Sequence, residues 1–213
     1  SSEGCSSCPP GDKLMEQIVD AAKKDNRPIY LLAFHVDYWD FLGWKDTLAK
    51  PEYTKRQYAY RDALKTESIY TPQAIINGKY ESTGSNSSKI MSFIDQEASK
   101  TPECTLTCTA TKVNAEKSLT VNYEISGNHE NSTVNFAVLL KTVTHKIKNG
   151  ENRGETLTHI KVVRSLVQDK PTGNSGQKTI SIPGNPKDYE VVVFVQKDKS
   201  MEILNSCMLQ PAE

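Results

Sequence analysis

Leu14, Ile18, Val19 and Ala22 recur at helical spacing near the start of the chain. That stripe predicts a helix from Asp12 to about Lys24. Asn26-Arg27-Pro28 interrupts it, and residues 29–36 then form a continuous apolar run of strand length. A run apolar on both faces predicts a strand buried in a middle layer between helices. A second helix is expected after Pro51, from about Tyr53 to Lys65, with Tyr60, Ala63 and Leu64 inward and Lys55, Arg56, Arg61 and Asp62 on a solvated face. Tyr70-Thr71-Pro72-Gln73 feeds a short apolar segment that turns at Asn77-Gly78, a hairpin signal. Ser87-Ser88 is placed to cap a last helix, ending near Lys100, with Ile90, Met91, Phe93, Ile94 and Ala98 as its buried stripe.

From Cys104 the period changes from helical to alternating. Leu106, Cys108 and Ala110 alternate with threonines, and Leu119, Val121, Tyr123 and Ile125 with polar residues. Strand-like stretches follow at 133–146, 155–168, 177–182, 189–197 and 201–209, broken by Asn149-Gly150, Gly173-Asn174 and Pro183-Gly184. Six or seven strands without a helical stretch predict an all-β sandwich. The expected division is therefore 1–103 and 104–213.

Length and charge exclude more than they assign. With 213 residues the chain can bury a core without help from metals, and its 26 basic residues balance 26 acidic ones, leaving no footprint of a nucleic-acid binder. Its longest apolar runs fall far short of the roughly 20 residues that span a bilayer.

The chemistry is concentrated in Gly4-Cys5-Ser6-Ser7-Cys8-Pro9-Pro10, two thiols just ahead of the first helix. Unpaired amides and the helix dipole favour a thiolate there, and the thiolate is the species that attacks a disulfide or binds a metal. Pro9-Pro10 is compatible with a first helical turn, where the missing N–H groups would be unpaired anyway, and places the start near Asp12. Three readings of the spacing remain: a redox pair, half of a zinc site, or an inert crosslink. A zinc site would need a second pair, but Cys104 and Cys108 on a strand stand about 13 Å apart, too far for one tetrahedral ion. For the same reason a disulfide must join Cys207 to one of them, and the inward-facing pattern favours Cys108–Cys207, with Cys104 free. Three buried thiols would be the plainer arrangement.

The order Cys-X-X-Cys, helix, strand, helix, Pro-strand, hairpin, helix resembles the thioredoxin fold. The resemblance narrows with Ser-Glu-Gly-Cys-Ser-Ser-Cys-Pro-Pro, His35-Val36-Asp37-Tyr38-Trp39-Asp40, Gly43-Trp44-Lys45-Asp46, Tyr70-Thr71-Pro72-Gln73 and Gly150-Glu151-Asn152-Arg153-Gly154 with Thr156-Leu157-Thr158-His159. These blocks resemble a family of secreted bacterial thioredoxin-like proteins of unknown function, across both predicted domains. The resemblance implies an α/β thioredoxin-like domain followed by the sandwich, and a secreted or periplasmic location with the signal segment absent from this chain. It also implies roles: Cys5 attacks, Cys8 resolves, Pro72 forms a cis-proline loop opposite the pair, and Thr71 pairs its backbone with an extended substrate. The thioredoxin fold needs a strand before the pair, and four residues precede Cys5, so a longer native chain is expected.

The function expected is extracytoplasmic thiol–disulfide exchange with protein thiols or disulfides, needing no cofactor and no metal, and an accessible Cys5. His35 and Asp37 project from one face of a strand and could tune the thiols, or serve as a hydrogen-bonded strand end and a cap. Tyr38, Trp39 and Trp44 could line a peptide groove or fill the core. Asn152, Arg153 and His159 read equally as binding residues or as polar tips of a Gly-flanked turn. The alternatives are a non-catalytic thioredoxin-like adaptor and, last, a copper-handling protein using paired thiolates near His35.

Overall fold

The structure, a computed structural model, describes residues 1–113 and 117–209. The described residues form three α-helices and nine strands in three sheets. They divide into two compact units, Ser1–Ser99 with Thr142–Val162, and Lys100–Lys141 with Val163–Glu213.

In the first unit, α1 (Cys8–Lys24) begins four residues earlier than Asp12, with Pro9 and Pro10 inside its first turn. The first four N–H groups of a helix have no intrahelical partner, so two prolines remove nothing there. Ile18 and Ala22 of the predicted stripe are buried. The expected middle-layer strand at 29–36 is an extended segment with one parallel bridge, Ala33 to Val162. Ala33 N donates to Lys161 O at 3.0 Å, and Ser1 N and Val36 N exchange bonds of 3.0 Å with Phe34 O and Ser1 O. One bonded residue on each side makes no ladder, and only His35 and Val36 of this run are fully buried.

Helix α2 (Pro51–Leu64) buries Tyr53 and Tyr60. Arg56 is not on a solvated face: its guanidinium lies over the rings of Phe34 and Tyr60, at 5.4 and 5.1 Å from their centroids. Strands β1 (Gln73–Ile76) and β2 (Tyr80–Thr83) form an antiparallel hairpin, turning through Asn77 and Gly78 at φ 48° and 69°. Positive φ at both central residues matches the right-handed twist of the strands, which is why Asn-Gly suits this turn. Helix α3 (Ser87–Ala98) is capped by Asn86, whose side chain accepts from Lys89 N at 3.1 Å, rather than by Ser87-Ser88.

The remaining strands are β3 (Cys104–Val113), β4 (Ser118–Gly127), β5 (Ser132–Lys146), β6 (Thr156–Asp169), β7 (Ser175–Ser181), β8 (Tyr189–Lys197) and β9 (Ile203–Leu209). One sheet runs β3-β4-β7 and the other β6-β5-β8-β9. Alternate residues of β4 and β8, with Val134, Phe136 and Val138 of β5, fill one apolar cluster in the second unit. A disulfide joins Cys108 to Cys207, and Cys104 is a buried free thiol. The boundary between the units falls within β5 and β6, so the segment Thr142–Val162, the end of that hairpin, belongs with the first hundred residues. The change of period at Cys104 gives no sign of this second crossing.

Candidate functional site

Cys5 and Cys8 are free thiols at the N-terminus of α1, where the turn is closed by Cys8 N donating to Cys5 O at 3.1 Å. The Cys5 sulfur lies 3.3 Å from Ser7 Oγ and 3.7 Å from Thr71 O, to which Ser7 Oγ also donates at 3.3 Å. The Thr71–Pro72 bond is cis, and the buried ring of Pro72 lies against α1. Added β-carbons at Gly11 and Gly84 would come within 3.0 and 2.9 Å of that ring, so both glycines are needed for the approach. Trp39 fixes the loop from the other side, donating from Nε1 to Thr71 Oγ1 at 2.8 Å.

The two thiols differ sharply in acidity. A hydrogen bond with Cys8, aided by Ser7 and Thr71 against the effect of burial, brings the Cys5 pKa down to about 6. The same bond, with burial, raises that of Cys8. One sulfur is therefore a thiolate at neutral pH and its neighbour a thiol. Neither is exposed: Cys5 is 0 % and Cys8 1 % accessible.

Beneath the cysteine loop lies a cluster of ionisable groups. Glu3 is fully buried and accepts from Trp44 Nε1 at 2.8 Å and from His145 at 2.7 Å, with His159 Nε2 at 3.3 Å. His159 Nδ1 stands 3.4 Å from Asp12 on α1. His35 bonds Asp46 at 2.7 Å, and its ring meets that of His159 edge-on at 4.7 Å. Burial opposes charge on His159, but Asp12 and Glu3 overcome it and raise its pKa to about 9. The carboxyls of Glu3 and Asp12 are lowered in turn by His159, again against burial. His35 goes the other way: burial outweighs its bond to Asp46 and lowers its pKa. It is neutral, donating Nδ1–H to a carboxylate. Among the described residues no group of His, Cys, Asp and Glu is arranged to hold a metal ion.

His35 and Asp37 do not act as a pair. His35 goes to Asp46, while Asp37 accepts from Thr54 Oγ1 at 2.5 Å at the start of α2. Asn152 is no exposed turn tip. It is 6 % accessible, and its amide donates to Glu3 O at 2.8 Å and Cys5 O at 3.0 Å, while Glu151 accepts from Ser6 N at 2.9 Å. Arg153 is exposed. Glu3, Asp12 and His145 escape a reading by motif, although the chain has only four histidines and three of them meet in this cluster.

Residues 1–196 match the family described as "Protein of unknown function (DUF1223)". The chain belongs to that family. No curated protein matches it. Among solved structures, an X-ray crystal structure of a structural-genomics target from Agrobacterium tumefaciens is 25% identical. It aligns over 100% of this chain and 92% of its own length with a TM-score of 0.77, and this DUF1223 chain shares its fold. A domain of the outer membrane lipoprotein Omp28 from Porphyromonas gingivalis (14% identity, 51% of this chain and 94% of that one, TM-score 0.31) is far less similar. So is the β-glucuronidase of Bifidobacterium dentium (12%, 51% and 18%, 0.27), and likenesses this slight carry no argument.

Proposed function

We propose that this chain is an extracytoplasmic thiol–disulfide oxidoreductase, with Cys5 and Cys8 on a thioredoxin-like α/β domain and an all-β sandwich as its second domain. The observation that carries the reading is the placement of the Cys5 sulfur. It sits at a helix N-terminus, within reach of the Ser7 hydroxyl and the Thr71 carbonyl, with Cys8 as its thiol partner. In the exchange, the Cys5 thiolate attacks one sulfur of a substrate disulfide, forming a mixed disulfide and expelling a substrate thiolate that takes up a proton. Cys8 then loses its proton and attacks the Cys5 sulfur, releasing the second substrate thiol. The substrate gains two electrons, and Cys5–Cys8 becomes a disulfide that an external dithiol must reduce. The Cys108–Cys207 disulfide supports an oxidising compartment. No helix among the described residues is long and apolar enough to cross a membrane.

One observation favours a non-catalytic adaptor instead: both sulfurs are covered. Exchange at Cys5 therefore requires the loop around Ser7 and Thr71 to open. The deciding experiment is alkylation of the folded, reduced protein by iodoacetamide, together with the potential of the pair in glutathione and dithiothreitol buffers. An oxidoreductase gives modification at Cys5 that falls off below about pH 6 and a potential between roughly −120 and −270 mV. Protection of Cys5 until global unfolding, or a potential below roughly −300 mV, supports the adaptor. Disulfide reductase activity that survives Cys5→Ser overturns the catalytic assignment.

A further inference from the structure

The end of the β5–β6 hairpin holds the cysteine loop by its main chain. Asn152 is buried, and its side-chain amide donates to Glu3 O at 2.8 Å and to Cys5 O at 3.0 Å, one hydrogen for each carbonyl. Beside it the Glu151 carboxylate accepts from Ser6 N at 2.9 Å. The same hairpin brings His145 and His159 to the buried carboxylate of Glu3, at 2.7 and 3.3 Å. All of these contacts land on residues 3–6, and each comes from a residue at least 142 positions away.

The arm that presents Asn152 is braced by its own main chain. Gly154 N donates to Ile147 O and Ile147 N to Glu155 O, both at 2.9 Å, closing the loop at the buried Ile147. Within it, Arg153 N donates to Gly150 O at 3.2 Å and Glu155 N to Asn152 O at 3.0 Å, with Gly150 and Gly154 at φ 77° and 95°. A side chain on so constrained a support keeps its direction. The residue type is specified as well. An amide has two N–H donors to divide between two carbonyls, whereas a carboxylate of the same shape offers only acceptors and a hydroxyl only one donor.

The consequence falls on the Cys5 sulfur. Cys5 O also accepts from Cys8 N at 3.1 Å, so the bond that opens α1 and the bond from Asn152 meet on one oxygen. With that main chain held, χ1 alone places the sulfur. It rests 3.3 Å from Ser7 Oγ and 3.7 Å from Thr71 O. The titratable and polar groups that face it are Cys8 and Ser7 at the start of α1, Thr71 in the cis-proline loop, and Tyr38.

We propose that Asn152 is a positioning residue for Cys5: by holding the carbonyls of residues 3 and 5 it keeps the sulfur against Cys8, Ser7 and Thr71, the partners that favour its thiolate, while Glu151 steadies the next N–H. The use of that thiolate in disulfide exchange rests on the function proposed above; the hold on Cys5 does not. The end of the hairpin is thereby part of the thiol site, although it lies outside the first hundred residues.

The test uses the full chain and follows thiolate absorbance at 240 nm against pH, with no substrate present. Asn152→Ala should raise the Cys5 pKa from about 6 by roughly one unit or more, and Asn152→Ser, which keeps one donor, by less. The reduced form then loses part of its thiolate stabilisation, so the equilibrium with glutathione at pH 7 should move severalfold toward the Cys5–Cys8 disulfide. Urea denaturation reads the structural cost separately. A Cys5 value that stays near 6 while stability falls overturns the proposal and leaves Asn152 a structural residue. Should the Ala variant not fold, the Ser variant decides by the same criterion. A wild-type chain that reduces no disulfide, but whose Cys5 shifts in this way on substitution of Asn152, overturns the oxidoreductase reading and upholds the positioning role.

Discussion

The two units fill their interiors with different chemistry. In the second, Val121, Ile125, Phe136, Val138, Val191 and Val193 pack into one apolar cluster from two sheets. In the first, Glu3, His35, Asp46, Asn152 and His159 are buried beside Cys5 and Cys8. An apolar core draws its stability from removing hydrocarbon from water, which does not depend on protonation. The charged part of the first unit, His159 between Glu3 and Asp12, contributes only while each partner keeps its charge, because an ion left alone in the interior costs several kcal/mol. The difference separates a scaffold from a region whose state can be set by pH and redox conditions.

The largest expected effect lies in the apolar unit. Phe136 is fully buried, and Phe136→Ala should cost about 4 kcal/mol through lost burial and the cavity it leaves. Urea denaturation at pH 6 and pH 9 should give the same loss. A loss that changes by more than about 1 kcal/mol between them would erase the contrast between the units.

His159→Gln should cost about 3 kcal/mol near neutral pH, since it leaves Glu3 and Asp12 without their shared cation. Here the loss must depend on pH, and its sign can be worked out. The His159 pKa is raised, so its contribution is complete below the ordinary imidazole value of about 6.5 and disappears as pH rises through about 9. The variant and the wild type should therefore converge in stability above pH 9. The carboxyls of Glu3 and Asp12 are lowered, so their contribution is present above the ordinary carboxyl range and is lost as pH falls below that range, through their lowered values. A His159→Gln loss that is the same at pH 6 and above pH 9 would show that the cluster is held by packing rather than by charge.

How much of this was visible beforehand follows the same line between the units. The strands of the second unit could be read within a residue or two, because β4 alternates with a period of two and the buried apolar runs of β5 and β8 are of strand length. The helices were visible from Ile18, Ala22 and Ile90 for the same kind of reason. The polar interior was not, since a buried Glu3 has the same letter as an exposed one and its partners lie 142 and 156 positions away at His145 and His159. Asn152 read equally as a binding residue or as the tip of a turn flanked by Gly150 and Gly154, and only the fold turns its amide onto the carbonyls of Glu3 and Cys5. The run 29–36 misled for a related reason: hydrophobicity predicts burial, but a ladder also requires neighbours, and this segment bonds one residue on each side.

A smaller effect tests the thiols themselves. The low pKa of Cys5 depends first on Cys8, with Ser7 and Thr71 after it, so Cys8→Ala should raise it by roughly one unit or more, toward that of an ordinary thiol. Thiolate absorbance at 240 nm, followed against pH, reads this directly. If the Cys5 value stays near 6 in the variant, the helix terminus rather than the partner sulfur sets it.

The smallest expected effect concerns the cis-proline loop. Trp39→Phe keeps an aromatic side chain but not the fused indole, and it removes the bond from Nε1 to Thr71 Oγ1, an interaction of about 1 kcal/mol. Its consequence for stability is minor, but Thr71 O lies 3.7 Å from the Cys5 sulfur, so a looser loop uncovers the thiol. Iodoacetamide should therefore modify Cys5 severalfold faster in Trp39→Phe, while stability falls by only about 1 kcal/mol. Faster modification would identify the Thr71 loop as the cover over Cys5. An unchanged rate would move that role to Asn152 and Glu151, which hold the cysteine loop from the hairpin side.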